Sequence, residues 1–141
     1  MKSLLDTSVL VSCFYGDHEH HAPSIALLVK QNPSTGYTAA HCLAEFYAVV
    51  TGMPGKERAS PDEALLFLRE LEKRLTLLHL EATEYFDVLE TAGSAAIIGG
   101  ATYDAIIATC ASKAKAQVLY TWNVKHFERL GASLGLRVRQ P

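Results

Sequence analysis

Short apolar runs alternate along this chain with longer stretches in which apolar positions recur every third or fourth residue. Residues 2–5 read as a short buried strand. Asp6-Thr7-Ser8 then breaks the run and can cap a helix over 8–14. A second helix is expected over 22–31, with Pro23 in its first turn, then a short strand at 36–38. Ala39, Cys42, Leu43, Phe46, Val49 and Val50 mark the buried stripe of a helix over 39–51. Gly52, Pro54 and Gly55 end it. Ser60-Pro61-Asp62-Glu63 is a capping box with proline in the first turn. It opens a helix running to about Arg74, with Leu65, Leu68, Leu71 and Leu75 on one stripe.

Leu75 to Leu80 reads as a buried strand, followed by a helix from Thr83 to Ala96 and a break at Gly99-Gly100. A nearly all-apolar helix is predicted from Thr102 to Ala114, a strand from Gln117 to Thr121, a short helix over 124–130 ending at Gly131, and a last edge strand at 136–138. Strands separated by helices imply parallel pairing through right-handed crossovers. The expected fold is therefore α/β, with helices covering both faces of a small sheet.

At 141 residues, one domain is the natural reading. A chain near this size buries about two-thirds of its unfolded surface. With 49% hydrophobic and 20% charged residues it reads as globular. No apolar run approaches the ~20 residues of a membrane span, so no membrane association is expected, and no secretory signal is visible. The three cysteines, Cys13, Cys42 and Cys110, each lie among apolar residues and lack a short C-x-x-C spacing. Reduced, buried thiols in a cytoplasmic protein explain them best. The net charge of −2 argues against nucleic-acid binding by bulk charge alone. Lys125, Arg129, Arg137 and Arg139 leave room for a local basic patch, although a solvated face is the simpler reading.

Against that background, one set of polar residues stands out. Asp6 ends the first apolar run, Glu45 lies about a quarter turn from the middle of its helix's apolar stripe, Asp104 heads the face Ile107, Ala108 and Ala111, and Asn123 follows the run Val118-Leu119-Tyr120. In open parallel sheets, ligands bind beyond the carboxyl ends of the strands. If the strands preceding Asp6 and Asn123 are parallel neighbours, both side chains share that edge. Carboxylates there suit a hard cation such as Mg2+. Each residue also has a local use: Asp6 as a helix cap, Asp104 as a first-turn acid on the helix dipole, Glu45 as an exposed acid, Asn123 as a turn residue. Taken together, in a topology that can bring them to one edge, the functional reading is preferred.

At these residues the chain resembles the PIN-domain family, and within it the VapC-type toxins of bacterial toxin–antitoxin pairs. The matching pieces are Leu4-Leu5-Asp6-Thr7-Ser8-Val9-Leu10, Glu45 in its helix, Tyr103-Asp104-Ala105-Ile106-Ile107-Ala108 and Thr121-Trp122-Asn123-Val124-Lys125-His126-Phe127. Pro54-Gly55 and the capped helix after it also resemble the family, so the likeness covers nearly the whole chain.

The resemblance implies a three-layer α/β/α sandwich and Mg2+- or Mn2+-dependent endoribonuclease activity on an RNA substrate. Asp6 and Asp104 would be direct metal ligands and Glu45 would complete the acidic pocket. Asn123 stands where many members carry a fourth acid; an amide there is a weaker, neutral ligand suited to holding a metal-bound water. His126 stands where a second acid is often found. Thr7, Ser8 and Thr121 would orient the acids by hydrogen bonds. The implied partners are a cognate antitoxin, whose chain wraps a groove and blocks the metal site, and a second copy in a homodimer.

Three rival readings follow from the sequence. Asp17-His18-Glu19-His20-His21 could bind a transition metal, but its spacing does not match a helical His-x-x-x-His pair, and a solvated helix entrance is preferred. A phosphatase would carry a second Asp two residues after Asp6, where Ser8 stands. An inactive binding module would use the leucine-rich helix, with Leu66 and Phe67 off its main stripe, to dock a partner.

Overall fold

The computed structural model describes residues 1–141. The chain begins with β1 (Ser3–Leu5), α1 (Thr7–Phe14), α2 (His21–Val29), β2 (Gly36–Ala39) and α3 (Ala40–Thr51). After a 3-10 turn at Gly55–Glu57 come α4 (Pro61–Leu71), β3 (Thr76–Leu78), α5 (Ala82–Ser94), α6 (Ala101–Lys113), β4 (Val118–Tyr120), α7 (Val124–Leu134) and β5 (Arg137–Arg139). The strands form one five-stranded sheet in the order β3-β2-β1-β4-β5, and every pairing is parallel.

From β1 the chain steps outward through β2 to β3, then crosses back to β4 on the other side of β1 and ends at β5. Right-handed crossovers place α1 to α4 on one face and α5 to α7 on the other, giving three layers. The packing agrees: α1 contacts α2 and α3, α3 contacts α4, and α6 contacts both α5 and α7. The strand order reverses between β1 and β4, the place where open parallel sheets hold their ligands. Register pairs Leu5 with Tyr120, and Tyr120 with Arg139. Asp6 and Thr121, the residues immediately beyond, therefore lie side by side at one sheet edge.

A single cluster of 26 buried residues holds the layers together; Leu4, Leu5 and Leu119 come from the sheet, Phe46 and Val50 from α3, and Ile107, Ala108 and Ala111 from α6. The buried face of α6 is the one Asp104 heads. No helix is long and apolar enough to cross a membrane. Cys13, Cys42 and Cys110 are free and buried, and burial pushes their thiols up to about 12, 12 and 11. The capping box forms as expected: Glu63 N–H donates to Ser60 Oγ, and Ser60 N–H to Glu63 Oε1, both at 3.1 Å.

The structure corrects three elements. The strand over 75–80 shrinks to β3, a half-buried edge strand paired on one side only, with Leu75 and Leu80 buried beyond its ends. In α4 the inward stripe is Ala64, Phe67, Leu68 and Leu71, while Leu65 turns out to solvent with Leu66. Apolar residues cover more than half of that helix's circumference, so periodicity alone allowed either stripe. Phe67 belongs to the core, its ring edge-on to Phe14 at 5.4 Å and stacked near Phe46 at 5.0 Å.

The third correction concerns α7, which runs through Gly131 to Leu134 and stops at Gly135, in the left-handed conformation with φ of 69°. Gly131 lies where α7 meets β5: a Cβ there would come within 2.6 Å of Val138 Cγ2 and 3.1 Å of the Leu136 carbonyl. That glycine allows close packing, and Gly135 supplies the helix stop.

Candidate active site

Asp6 occupies the N-cap position of α1, yet its side chain makes no capping bond. It is 4% exposed, and its Oδ2 instead accepts from Thr121 Oγ1 at 2.8 Å and Ser8 Oγ at 3.1 Å. The two hydroxyls also touch each other at 3.2 Å. Each has a further fixed contact, because Trp122 N–H donates to Ser8 Oγ at 2.9 Å and Asn123 N–H to Thr121 Oγ1 at 3.0 Å. The β4–α7 turn is thus tied to the start of α1 through the Asp6 carboxylate. A plain cap would aim its oxygens at the helix N–H groups; this one is held sideways, over the sheet edge.

Glu45 projects from α3 toward the same edge and is half-buried. Its Oε1 accepts from Thr7 Oγ1 at 3.0 Å. His41, one turn earlier, brings Nε2 to 3.5 Å from the same oxygen, and its ring stacks on Tyr103 with centroids 5.0 Å apart. That nitrogen is buried and has no hydrogen-bond partner, so the 3.5 Å approach lacks hydrogen-bond geometry. Tyr103 precedes Asp104, so the stack links the two helices that carry Glu45 and Asp104.

Asp104 sits in the first turn of α6. Burial pushes its carboxyl up to about 6; the Asp6 charge adds to this, His126 opposes it, and Glu45 raises it further. His126, exposed on α7, is therefore near enough for its charge to be felt at Asp104 without lining the pocket. Asn123 is exposed at the N-cap of α7, and its side chain makes no capping bond.

Asp6, Thr7, Ser8, Glu45, Asp104 and Asn123 all line one cavity of ≈ 480 Å3, and His18, Glu19, His20 and Trp122 form another part of its wall. Thr121 lies behind this wall, fully buried. His20, His41, Tyr103 and Trp122 belong to the site's surroundings and were not singled out by the sequence reading for this role; the only advance signal was the spacing of four between His41 and Glu45.

The donor set suits a hard divalent cation. Asp6, Glu45 and Asp104 share one pocket with Glu19; burial is the chief reason the Asp104 carboxyl is raised, and the charges of Asp6 and Glu45 add a repulsion that such a cation would relieve. No three His, Cys, Asp or Glu side chains close tightly enough to form a cage unaided. An ion in this pocket would therefore need further ligands from water or from a bound phosphate. The histidines of the 17–21 segment do not converge either. His18 Nδ1 accepts the His20 N–H at 3.0 Å, and His21 Nδ1 lies 2.9 Å from the Ser12 carbonyl.

A parallel sheet with acids gathered at its switch point defines a small α/β protein with a polar, acid-lined pocket. The chain matches the PIN domain family over residues 3–132, and it belongs to that family. It is 32% identical over 114 residues to Ribonuclease VapC40 of Mycobacterium tuberculosis, covering 81% of both chains. It is 31% identical to Ribonuclease VapC27 of the same species, covering 81% of this chain and 80% of the relative. Among solved structures, M. tuberculosis VapC20, described as a sarcin-ricin loop cleaving toxin, superposes with a TM-score of 0.73 at 16% identity, over 91% of this chain and 95% of that one. VapBC2 of Rickettsia felis, solved bound to a DNA fragment from their promoter, superposes with a TM-score of 0.68 at 21% identity over 100% of both chains. At those identities the structural likeness speaks to the fold.

Proposed function

We propose that this chain is a metal-dependent endoribonuclease of the VapC type, the toxin of a toxin–antitoxin pair, hydrolysing RNA phosphodiester bonds at the Asp6–Glu45–Asp104 pocket. The observation that carries this reading is the meeting of those three carboxylates, from three separate helix starts and faces, at the switch point between β1 and β4. The ribonuclease relatives supply the substrate class.

Asp6 and Asp104 are the proposed ligands for Mg2+ or Mn2+, with Glu45 completing the acidic wall. Bound there, the cation would neutralise the phosphate and supply an activated water, the two needs of phosphodiester hydrolysis. The protein's own contribution is positioning. Thr121 and Ser8 hold Asp6, Thr7 holds Glu45, and the apolar face of α6 holds Asp104. Asn123, which lines the same cavity, is the proposed holder of a water there. An unfilled acidic pocket repels RNA, so cation and substrate bind in a mutually supporting way.

The proposed partners are an antitoxin and a second copy of this chain. VapBC structures from R. felis and Haemophilus influenzae, which superpose with TM-scores of 0.68 and 0.67, support the first. Exposed Leu65 and Leu66 on α4 leave an apolar surface available for either. The three buried free thiols fit a reducing, cytoplasmic setting. The inactive-module reading is not favoured, since all three acids are present and gathered.

The test is incubation of the purified protein with a mixed RNA pool and, separately, single-stranded DNA, with Mg2+, with Mn2+ and with chelator. Metal-dependent cleavage of RNA is expected. Cleavage that persists in chelator, or none by folded, antitoxin-free protein on any RNA, would overturn it.

A further inference from the structure

His20 and Trp122 lie face to face, ring centroids 3.8 Å apart and planes 7° from parallel. One comes from the entrance to α2 and the other from the β4–α7 turn, and both line the cavity that holds the acids. The pair is held in place from several directions. Trp122 Nε1 donates to the fully buried Ser24 Oγ at 2.9 Å. The Trp122 backbone N–H donates to Ser8 Oγ at 2.9 Å, the same hydroxyl that bonds Asp6. The stack is therefore fixed relative to the Asp6 carboxylate. It is also wet: the His20 side chain is 36% exposed, which a pair serving only the core would not be.

The rest of the cavity wall is mostly carboxylates, hydroxyls and an amide, with Val11, Val49 and the His18 ring, which is tilted 43° to His20 at 5.6 Å. Such a wall offers little grip to RNA beyond a phosphate held through a cation. An unpaired base, however, has two flat apolar faces and stacks readily on aromatic rings. We propose that the His20–Trp122 stack is a nucleobase subsite, on which an unpaired base flanking the phosphate in the acid pocket lies. This rests on the ribonuclease reading above. It makes the substrate single-stranded or locally unpaired at the cut, and it favours purines, whose larger faces stack more strongly.

Trp122 is the chain's one tryptophan, so its fluorescence reports on this subsite alone. The full chain carrying Asp104→Asn, to prevent cutting, is titrated with end-labelled oligo(A), oligo(U) and a base-free ribose-phosphate chain of equal length. Binding is read from the label's anisotropy and stacking from tryptophan quenching. Oligo(A) is expected to bind most tightly and to quench, and the base-free chain to bind without quenching. Adding His20→Ala is expected to weaken oligo(A) binding roughly tenfold and leave the base-free chain unchanged, while His20→Phe restores the affinity. Oligo(A) binding without quenching, or unweakened by His20→Ala, would overturn the subsite and leave the ribonuclease reading standing. No binding of any RNA by folded protein would overturn both.

Discussion

Thr121 Oγ1 donates to Asp6 Oδ2 at 2.8 Å, joining residues 115 positions apart across the β4–β1 boundary. Thr121 is fully buried and its oxygen also accepts the Asn123 N–H. Replacing it with valine keeps the shape and removes both bonds together with the 3.2 Å contact to Ser8 Oγ. Thr121→Val is expected to lower cleavage by about ten- to a hundredfold, and to cost roughly 1–3 kcal/mol of stability through the unpaired groups it leaves. Thr121→Ser, which keeps the hydroxyl, is expected to retain most of both. Urea denaturation alongside initial cleavage rates checks the pair.

Asp104 makes the metal-free protein pH-sensitive in an unusual direction. Its carboxyl is raised from 3.8 to about 6, so the folded state keeps a proton that the unfolded state has released. Its contribution to stability is therefore greatest below pH 3.8 and is lost as pH rises toward and through about 6. Asp104→Asn removes that penalty. After allowance for solvent screening, the variant is expected to be more stable than the parent by about 1 kcal/mol at neutral pH, a few degrees in Tm, with the difference vanishing in acid. Thermal melts of both proteins across pH 4–7.5, without metal, measure it; an unchanged difference across the range would contradict the coupling.

His41 presents a second case in which function and stability pull apart. Its buried Nε2 has no hydrogen-bond partner, a costly arrangement, while its ring stacks on Tyr103. His41→Phe keeps a ring for the stack and discards the orphan nitrogen, so it is expected to match or exceed the parent's stability. The loss of the nitrogen facing Glu45 is expected to weaken Mn2+ binding several-fold. His41→Ala loses both contacts and is expected to cost about 1 kcal/mol as well. Calorimetric Mn2+ titration and thermal melts separate the two effects.

Much of this architecture was legible in the chain. The alternation of short apolar runs and helical stripes located every strand and helix and implied the parallel sheet. Asp6 and Asn123 could be assigned to one edge only on the condition that the strands preceding them are parallel neighbours. Spacing could not show that β1 and β4 are neighbours, so the Thr121–Asp6 bond became visible only with the strand order; the family resemblance had implied the orienting role of Thr7, Ser8 and Thr121 without its geometry. The His20–Trp122 and His41–Tyr103 stacks were invisible for the same reason, since each joins segments distant in sequence. Leu65 was placed inward because α4 is apolar on two adjoining faces. Gly131 read as a helix end because a glycine required for close packing and one that stops a helix are the same letter; only the nearby Val138 and Leu136 distinguish them.

That distinction is itself testable. Gly131→Ala places a methyl 2.6 Å from Val138 Cγ2 and is expected to destabilise the fold by about 1–3 kcal/mol despite alanine's better helix propensity. Gly135→Ala, in open space but at positive φ, is expected to cost about 1 kcal/mol from backbone strain alone. Urea denaturation of the two variants ranks them.

The central claim is that Asp6 and Asp104 hold the metal that cuts RNA. The most direct measurement is the cleavage rate of a mixed RNA pool in Mg2+ for the parent protein, Asp6→Asn and Asp104→Asn, each first shown to be folded by circular dichroism. The account predicts loss of at least a thousandfold in both variants, a scale set by losing an interaction made in the transition state. A folded Asp104→Asn protein that cuts at the parental, metal-dependent rate would contradict it.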